Sequence, residues 1–457
     1  MTKNTLRGAR GTARLLFPGA FLWFVGIGGV GMSSLARLSL RYGFRVAGED
    51  RRAGIEAGFT GTGIEVSPEG KGLPDGVSAV IYTAAAPPDH PTFAEAARCG
   101  IPLISRSDLL AYFMKDSPIR VTVAGSHGKT TVTAMLDLIF TRAGLSPTTV
   151  SGGTLTNGAT YRVGSGPAFL VEACEYTNSF LSFSPTHALL LNLEHDHVDF
   201  FPVFSSLVAS AKTYLSGAET AILPPSLAYL ATAGKSLTFS FDGEAGLTAR
   251  NVRESAAGTR AELVFLGKTV GNLFLPVPGR HNLQNALAAC LTAQAVGVPF
   301  SVTAEALSSF ALPDRRLTLR GTWGGALWYD DYAHHPSEIA ASLSALRPLC
   351  RGCLTVAFQS HTYSRTKAEE SGFASALRLA DRVLVLPIYP ARETDDLGVS
   401  NETLARRIGD AATAIPDFET AAKELKKAAR PGDVMVVMGA GDVNAIFNFL
   451  GSFGEQA

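Results

Sequence analysis

The chain has 457 residues, of which 46% are hydrophobic and 18% are charged, so it can bury the cores of about three domains of roughly 150 residues each. The chain has 40 basic residues (lysine plus arginine) and 40 acidic residues (aspartate plus glutamate). Nucleic-acid-binding proteins usually carry an excess of basic residues that neutralises phosphates, so this balance argues against that class. The five cysteines are odd in number and scattered, which argues against a disulfide framework.

The N-terminal stretch resembles a targeting or membrane segment. Four basic residues precede an uncharged run at residues 15–36, which is the arrangement of a signal peptide or a membrane span. That run, however, contains Pro18 and five glycines, and such clustering is typical of a strand followed by a tight loop. We therefore expect a cytoplasmic chain that is not inserted in a membrane.

Short runs rich in valine, isoleucine and leucine alternate with longer helical patterns. Continuous apolar runs are expected for parallel strands that helices cover on both faces. The predicted buried strands are Phe21–Ile27, Arg45–Ala47, Ala79–Tyr82, Val121–Ala124, Leu189–Asn192, Val383–Pro387 and Val434–Met438. Breaks near Ser117-Pro118 and Leu312–Asp314 divide the pattern. The sequence therefore predicts an α/β fold whose three domains cover residues 1–118, 119–312 and 313–457.

A glycine-rich segment, Gly26–Gly31, lies between the first predicted strand and a helix that begins near Met32. Glycines let the backbone turn sharply and approach a diphosphate, while the helix N-terminus supplies N–H groups. Asp50 ends the second strand, where a Rossmann domain places the acidic residue that binds a ribose hydroxyl. The pattern predicts a nucleotide site and leaves two alternatives: NAD binding by an oxidoreductase, or a turn that serves packing alone.

A second loop, Gly125–Thr131, follows the fourth predicted strand and precedes an apolar helix at Val132–Phe140. It ends in the Gly-Lys-Thr of a P-loop, although Val123 stands where the full spacing requires the first glycine. In such loops backbone N–H groups hold phosphate oxygens, the lysine contacts the β- and γ-phosphates, and the threonine offers Mg²⁺ a hydroxyl. We therefore expect ATP here, with Lys129 on the phosphates and Thr130 on the metal.

Two clusters of acidic residues and histidines follow the next predicted strands. Glu172 and Glu175 come after the apolar run Ala168–Val171, and Glu194–Asp199 follows the strand that ends near residue 192. Polar groups just past strand ends lie at the edge where α/β sheets build their sites. A carboxylate and an imidazole there would complete a Mg²⁺ site. A transition-metal site would need a thiolate or a further histidine, and a solvated loop is the structural alternative.

The helix that follows Pro278-Gly279 is predicted to run to about Ala295. Asn282 and Asn285 lie three residues apart on one face of it, a spacing suited to hydrogen bonds with the edge of an adenine ring. A polar residue near the start of a helix can also be a cap, so a structural role is the alternative.

The last third of the chain carries three polar clusters near predicted strand ends. They are Arg315-Arg316, Asp330–Pro336 and Gln359–Arg365, the last of which directly follows a predicted strand at Leu354–Phe358. A single histidine is more often structural than catalytic, but histidine and arginine recur together at successive strand ends here. The recurrence indicates a site.

Taken in order, these segments resemble the Mur ligase family. The resemblance covers nearly the whole chain and rests on ordered motifs. These are Gly26–Gly31, Gly125–Thr131, Glu172–Leu181, Asn192–Asp199, Pro278–Asn285, Asp330–Pro336, Phe358–Arg365 and Gly439–Asp442. The resemblance implies a Rossmann-like N-terminal domain, a central P-loop ATPase-like parallel sheet and a Rossmann-like C-terminal domain.

The resemblance also implies a role for each candidate residue. The UDP-linked substrate would bind to Gly28, Gly29, Gly31, Asp50, Thr83 and Ala84. ATP would bind to Gly125, Ser126, His127, Gly128, Lys129, Thr130, Thr131, Asn282, Asn285, Arg316 and Asp331. Thr130 and Glu175 would hold one Mg²⁺ ion, and His197 would hold another. The amino-acid pocket would consist of Tyr332, His334, His361 and Arg365, and the catalytic residues would be Lys129, His197 and His334.

The implied activity is an ATP-dependent ligation. The lactyl carboxylate of UDP-N-acetylmuramate would attack the γ-phosphate of ATP, and the amine of L-alanine would then displace phosphate from the acyl phosphate. This would be the first peptide-forming step of peptidoglycan precursor synthesis, carried out by a cytoplasmic monomer or homodimer. The alternatives are a sister ligase that adds a murein peptide, an NAD-dependent oxidoreductase and a non-catalytic nucleotide-binding regulator descended from the family.

Overall fold

A computed structural model describes residues 16–198, 200–232, 234–255, 257–391, 393–451 and 453. Asp199 and the four N-terminal basic residues singled out above lie outside these ranges. The described chain packs into two compact units. The first consists of residues 16–249, 263–271 and 285–307, and the second of residues 250–262, 272–284 and 308–453. No helix within the described ranges is long and apolar enough to cross a membrane.

The N-terminal sheet has the strand order of a Rossmann half. Its strands are β1 (Phe21–Val25), β2 (Arg45–Asp50), β3 (Glu65–Pro68), β4 (Ala79–Tyr82) and β5 (Leu103–Ser105), and its helices are α1 (Val30–Arg41), α2 (Pro91–Arg98) and α3 (Arg106–Met114). The strands are parallel in the order β3-β2-β1-β4-β5. Every side chain of β1 is buried, as the continuous apolar run predicts. The glycine loop follows directly from the end of this central strand.

The central sheet contains ten strands. They are β6 (Ile119–Ala124), β7 (Thr148–Val150), β8 (Tyr161–Arg162), β9 (Ala168–Glu172), β10 (His187–Leu190), β11 (Thr220–Leu223), β12 (Lys235–Ser240), β13 (Leu247–Ser255), β14 (Gly258–Phe265) and β15 (Lys268–Leu275). The helices of this region are α4 (Lys129–Arg142), α5 (Phe204–Ser216), α6 (Arg280–Ala295) and α7 (Phe300–Leu307). The strand order is β15-β14-β13-β12-β11-β10-β6-β9-β7-β8.

Within this sheet, β6 lies between β10 and β9 and is parallel to both. Ala124 is level with Leu190 of β10, and Val123 is level with Glu172 of β9. The three carboxyl ends therefore meet at one edge, which brings the phosphate-loop candidate next to both clusters of acids and histidines.

The C-terminal sheet has six strands. They are β16 (Thr318–Trp323), β17 (Ala326–Asp331), β18 (Leu354–His361), β19 (Arg382–Tyr389), β20 (Ala412–Ala414) and β21 (Val434–Met438). Its helices are α8 (Pro336–Leu346), α9 (Tyr363–Ala368), α10 (Glu370–Leu377), α11 (Asn401–Ile408), α12 (Phe418–Ala428) and α13 (Ile446–Leu450). The order is β16-β17-β21-β18-β19-β20, with β16 antiparallel to β17 and the other pairs parallel. Separate apolar clusters lie on its two faces.

The α/β fold class with parallel-sheet cores is confirmed, and every predicted strand is present. The strands at Ala79–Tyr82 and Val434–Met438 have the predicted bounds, and the others are shifted at one or both ends. Helix α4 begins at Lys129 rather than Val132, so the lysine and Thr130 belong to its first turn. Strand β18 continues to His361, so the prediction that residues 359–361 follow the strand is wrong. The strand continues because it is still paired with β19, with His361 opposite Tyr389 after a register shift between Gln359 and His361. The exact domain bounds stay a prediction.

Candidate active site

The phosphate-loop candidate turns from β6 into α4 through two glycines with positive φ. Gly125 has a φ of 137°, and Gly128, the N-cap of α4, has a φ of 84°, which are values that favour glycine. A Cβ on Gly128 would lie 2.7 Å from Asn285 Oδ1, so the loop also lacks room for a side chain there. Because α4 begins immediately afterwards, its N–H groups and the positive end of its dipole lie beside the loop. This geometry suits an anion.

Lys129 folds its ammonium back over this loop. The group donates hydrogen bonds to the Gly125 carbonyl, to the Ser126 carbonyl at 3.1 Å and to Glu175 Oε2 at 3.3 Å. Burial is the largest single effect and would lower the pKa of Lys129, but the charges of Glu175, Cys174 and Glu172, with the hydrogen bond to Glu175, together outweigh it and raise the pKa well above its usual value. The lysine is therefore a fixed cation at the phosphate loop.

The segment that follows β10 holds the phosphate loop at Ser126 and His127. Asn192 accepts a hydrogen bond from the His127 N–H at 2.8 Å and donates one to the His127 carbonyl at 3.0 Å. The Ser126 hydroxyl accepts from the Glu194 N–H at 2.9 Å, and His127 Nε2 lies 3.2 Å from Glu194 Oε2. Because one amide side chain binds both sides of a single residue, Asn192 fixes the backbone of the loop.

A carboxylate and an imidazole meet beside Lys129. Glu175 is 2% exposed, and its Oε1 lies 3.7 Å from His197 Nε2. This buried oxygen has no hydrogen-bond partner in the part of the chain that the structure describes. His197 has a φ of 56°, and its ring packs against Tyr176 with centroids 4.8 Å apart. A buried acceptor that lacks a donor is costly, so a cation between these two groups fits the arrangement.

The hydroxyl of Thr130 contacts a different carboxylate. It donates a hydrogen bond to Glu172 Oε2 at 3.2 Å, while Glu172 Oε1 accepts from the Ser151 hydroxyl at 2.8 Å and from the Gly152 N–H at 2.6 Å. A hydroxyl that gives its proton to a carboxylate keeps its lone pairs for another partner. Glu172 therefore orients Thr130 in a way that suits a metal ligand.

The N-terminal glycine loop is closed by the predicted acidic residue. Asp50 Oδ2 accepts a hydrogen bond from the Gly28 N–H at 2.9 Å, and Oδ1 accepts from Arg52 Nε at 3.1 Å. Burial would raise the pKa of Asp50, but the bonds to Arg52 and Gly28 outweigh it and lower the pKa. A Cβ on Gly28 would lie 2.6 Å from Ile55, so glycine is required there. The carboxylate thus shapes the loop, and its contact with a ribose stays a prediction.

The other predicted contacts of this loop lie close by. Gly29 is the N-cap of α1 and donates its N–H to the Gly26 carbonyl at 3.1 Å. The Thr83–Ala86 turn is closed by a hydrogen bond from the Ala86 N–H to the Thr83 carbonyl at 3.0 Å. A Cβ on Gly31 would lie 3.2 Å from the guanidinium of Arg106. A glycine loop with an arginine against it suits a diphosphate.

The two asparagines of α6 have different surroundings. Asn282 is 2% exposed, and its Nδ2 donates to the Pro278 carbonyl at 2.7 Å, so part of its hydrogen-bonding capacity serves the start of the helix. Asn285 is 9% exposed, and its Oδ1 lies against Gly128 of the phosphate loop. Their contacts with adenine stay a prediction.

In the second unit, a buried carboxylate and an arginine lie near the end of β17. Asp331 Oδ1 accepts from the Leu317 N–H at 3.4 Å, and its buried Oδ2 has no hydrogen-bond partner among the described residues. Burial raises the pKa of Asp331 to about 6. The Arg316 guanidinium lies 5.2 Å from the centre of the Tyr332 ring and 3.6 Å from Glu338 Oε1. The unpartnered Asp331 oxygen suits a donor such as a hydroxyl of a nucleotide.

The rings of Tyr332, His334, His361 and Tyr389 lie next to one another in that order. The centroid of the His334 ring lies 5.5 Å from that of Tyr332 and 6.1 Å from that of His361, and the His361 ring stacks on Tyr389 at 5.6 Å. Burial lowers the pKa of His334 to about 4, and the nearby charge of Arg365 acts in the same direction. The four predicted pocket residues are therefore neighbours, and the imidazole of His334 is neutral at pH 7.

Known proteins match the chain over most of its length. Three family models match in order: one described as Mur ligase family, catalytic domain, at residues 22–118, one as Mur ligase middle domain at 123–293, and one as Mur ligase, glutamate ligase domain, at 315–441. A UDP-N-acetylmuramate–L-alanine ligase of Lachnospira eligens is 38% identical over 437 residues, covering 92% of this chain and 95% of that protein. The chain belongs to the Mur ligase family.

Solved structures of Mur ligases share the fold. The UDP-N-acetylmuramate–alanine ligase MurC of Thermotoga maritima superposes with a TM-score of 0.80 at 26% identity and covers 94% of this chain and 98% of its own. A murein peptide ligase of Psychrobacter arcticus superposes with a TM-score of 0.70 at 23% identity and the same coverage, which shows the fold alone. The resemblance inferred from the sequence is confirmed, and membership in a ligase family replaces the oxidoreductase alternative. The ligase name of the relative at 38% identity favours an enzyme over a regulator.

In this Mur ligase, the residues predicted to bind phosphate and metal fall into two groups. Lys129, Glu175 and His197 form one, whereas Thr130 joins Glu172, a pairing that the sequence did not predict. The contacting residues that sequence reasoning left out of the site are Arg106, Glu172, Asn192, Glu338 and Tyr389. Glu172 and Asn192 stood within recognised motifs, so a closer reading of each motif would have included them. Arg106, Glu338 and Tyr389 lie outside the motifs and carried no signal.

Proposed function

We propose that the chain is an ATP-dependent ligase that joins L-alanine to the lactyl carboxylate of UDP-N-acetylmuramate. The ligase of that name from Lachnospira eligens, 38% identical along 95% of its length, supports this choice. The observation that carries the proposal is the group of Lys129, Glu175 and His197 at the phosphate loop. It combines a cation for phosphates with a carboxylate and an imidazole for a metal, which is what an ATP-cleaving site needs. The reaction would be the first peptide-forming step of peptidoglycan precursor synthesis.

The first step joins two anions. A lactyl carboxylate oxygen attacks the γ-phosphorus of ATP, an oxygen–phosphorus bond forms, and the bond to the β-phosphate oxygen breaks to release ADP. The Lys129 ammonium would offset the repulsion between the reactants and the charge that develops on the transferred group. The backbone N–H groups of Gly125–Thr131 would hold the phosphate oxygens in place. Asp331 and Arg316 would reach the nucleotide, and Asn282 and Asn285 would face its adenine.

Magnesium would be held by Thr130, Glu175 and His197. The fit rests on the chemistry of these groups: a buried Glu175 oxygen without a hydrogen-bond partner in the described chain, an imidazole nitrogen 3.7 Å away, and a hydroxyl whose proton is taken by Glu172. When bound, Mg²⁺ supplies positive charge that neutralises the triphosphate. The protein's part is to leave Glu175 Oε1 without a donor from the described chain and to orient the Thr130 hydroxyl through Glu172.

In the second step, the amine of L-alanine attacks the carbonyl carbon of the acyl phosphate. A carbon–nitrogen bond forms, the carbon–oxygen bond to phosphate breaks, and the nitrogen loses a proton to His334 or to the released phosphate. Tyr332, His334, His361 and Arg365 would line the pocket for the amino acid, with the guanidinium of Arg365 paired to its carboxylate. The UDP end of the other substrate would lie on Gly28, Gly29 and Gly31, with Asp50 and the turn at Thr83-Ala84 beside it.

A panel of acceptors tests the proposal. Phosphate release from ATP is measured with UDP-N-acetylmuramate, Mg²⁺ and L-alanine, L-serine, glycine or an L-Ala-D-Glu peptide, and the product is identified by its mass. We expect release to be fastest with L-alanine and to stop when Mg²⁺ is chelated. Turnover with the peptide alone would instead make the chain the sister ligase, and no release with any acceptor would contradict ligase activity. The cytoplasmic location and the monomeric or homodimeric state stay predictions.

A further inference from the structure

One carboxylate in the second unit contacts two predicted site residues. Glu338 lies in the first turn of α8, and its Oε2 accepts the His334 backbone N–H at 3.0 Å and lies 3.3 Å from His334 Nδ1. Its Oε1 lies 3.6 Å from Arg316 Nη1. The Glu338 side chain is only 11% exposed, so solvent screens these interactions weakly. A single side chain therefore links the imidazole expected near the amine to the guanidinium expected near the nucleotide.

The surroundings of His334 fix which of its nitrogens carries the proton. Nδ1 lies 3.0 Å from the Tyr332 carbonyl oxygen and 3.3 Å from Glu338 Oε2. A carbonyl oxygen and an ionised carboxylate can only accept hydrogen bonds, so Nδ1 must be the donor. In the neutral imidazole the lone pair then lies on Nε2. Nε2 is thus the nitrogen that is ready to take a proton.

We propose that Glu338 is a positioning residue of the ligation, which acts by holding His334 with its proton on Nδ1 and by stabilising the imidazolium that forms when Nε2 accepts the proton of the attacking amine. This inference rests on the proposed function. As the carbon–nitrogen bond forms, the electron pair of the carbon–oxygen bond leaves with phosphate, and the proton passes from the nitrogen to Nε2. The imidazolium then gives that proton to the released phosphate, which restores the neutral histidine.

The geometry resembles the way a carboxylate orients the histidine of a hydrolase triad, where it also stabilises the imidazolium. The low pKa of His334, about 4, leaves the lone pair available at pH 7 but makes the imidazole of the free protein a weak base. The negative charge of Glu338 raises the pKa of His334 against the stronger effect of burial. Removing that charge should therefore make proton transfer harder.

A purely structural role is the competing explanation, because a carboxylate in the first turn of a helix can serve as part of its cap. Glu338→Gln separates the two roles. The amide oxygen of glutamine can still accept the His334 N–H, whereas the charge beside Nδ1 is lost. Glu402→Gln is the control, since it removes an exposed carboxylate from the first turn of another helix, α11.

Two measurements test the proposal. In ¹⁵N-histidine NMR spectra of the full chain, with the signal of His334 identified by its loss in His334→Gln, we expect the proton on Nδ1. In kinetics, we expect Glu338→Gln to lower kcat at least about tenfold with little change in the KM for ATP, and Glu402→Gln to leave both unchanged. ADP released in a single turnover without amino acid should be unaffected by Glu338→Gln, since that step precedes the proton transfer.

The results separate this inference from the proposed function. A proton on Nε2 of His334, or a wild-type kcat in Glu338→Gln, would overturn the role of Glu338 even if the chain is a ligase. If Glu338→Gln slows the first-turnover release of ADP as much as it slows kcat, the residue acts on the nucleotide step and the proposal is also wrong. Failure of the wild-type chain to ligate any acceptor would instead reject the proposed function.

Discussion

Replacing Lys129 by methionine should both destabilise the chain and remove its ATPase chemistry. Methionine keeps the length of the side chain and its apolar contacts but removes the ammonium, which donates to two loop carbonyls and to Glu175. The carboxylate of Glu175, which is 2% exposed, would then be buried without the cation that compensates it. Removing one partner from a buried ion pair is costly because the other charge stays out of water.

The size of the effect follows from this burial. The Lys129 side chain is 18% exposed and that of Glu175 3% exposed, so the pair is close to fully buried. Breaking such a pair costs about 3–5 kcal/mol. A loss of about 1 kcal/mol lowers Tm by roughly 2–4 °C in a domain of about 150–250 residues, so we expect a fall of roughly 6 °C or more. In Lys129→Met with Glu175→Gln, no buried charge is left alone, and stability should recover in part.

Scanning calorimetry at pH 7 without nucleotide measures these Tm values, and a phosphate-release assay measures the chemistry. Lys268→Met is the control, because Lys268 is an exposed lysine at the start of β15. We expect Lys129→Met to abolish phosphate release and Lys268→Met to leave both readouts near wild type. Near-normal turnover in Lys129→Met would refute the phosphate-loop assignment. A Tm equal to wild type, together with a double variant no more stable than the single one, would refute the argument about the buried pair.

Three further predictions concern neighbouring groups. His197→Ala should raise the Mg²⁺ concentration needed for half-maximal phosphate release, and an unchanged titration would remove His197 from the metal site. Asn192→Asp should weaken MgADP binding about tenfold by calorimetry, because it keeps the acceptor for the His127 N–H but loses the donor to the His127 carbonyl. Burial lowers the pKa of His281 to about 4, against about 6.5 in the unfolded chain, so the unfolded chain protonates this histidine at a higher pH than the folded chain does. His281 therefore leaves the free energy of unfolding unchanged above pH 6.5 and lowers it as the pH falls from 6.5 towards 4. Between pH 7.5 and pH 5, the free energy of unfolding should fall by about 2 kcal/mol less in His281→Gln than in the wild type. An equal fall in both proteins would contradict this.

The sequence was a good guide to the elements because their signals are local. The apolar run at Phe21–Val25 is a fully buried strand, as its composition predicts, and the two glycine loops follow strand ends where backbone turns require them. Helix α4 begins earlier than predicted. The apolar pattern starts at Val132, but the helical backbone begins at Lys129, where polar residues face the loop and carry no periodicity.

Contacts between distant residues were not predictable in the same way, because they depend on strand register and side-chain direction. Glu172 and Glu175 stand in one motif, yet β9 places the first against Thr130 and the loop at Ser151, while the second lies beyond the strand against Lys129. The pattern of the motif cannot distinguish these two positions. Asn192 was taken as the last residue of a strand, but β10 ends at Leu190, which leaves the amide of Asn192 to bind the phosphate loop.

The charges around Glu175 suggest how nucleotide and metal binding depend on each other. One oxygen of this carboxylate accepts a hydrogen bond from the Lys129 ammonium, and the other lies beside His197 without a hydrogen-bond partner in the described chain. If Lys129 turns to a triphosphate, Glu175 loses its cation while it stays buried, a state as costly as the one created in Lys129→Met. A metal ion held by Glu175 and His197 would restore the balance. Burial of Glu175 would therefore favour binding of nucleotide and Mg²⁺ together. The His197→Ala titration tests that dependence, because the Mg²⁺ requirement of the variant should rise most when ATP is limiting.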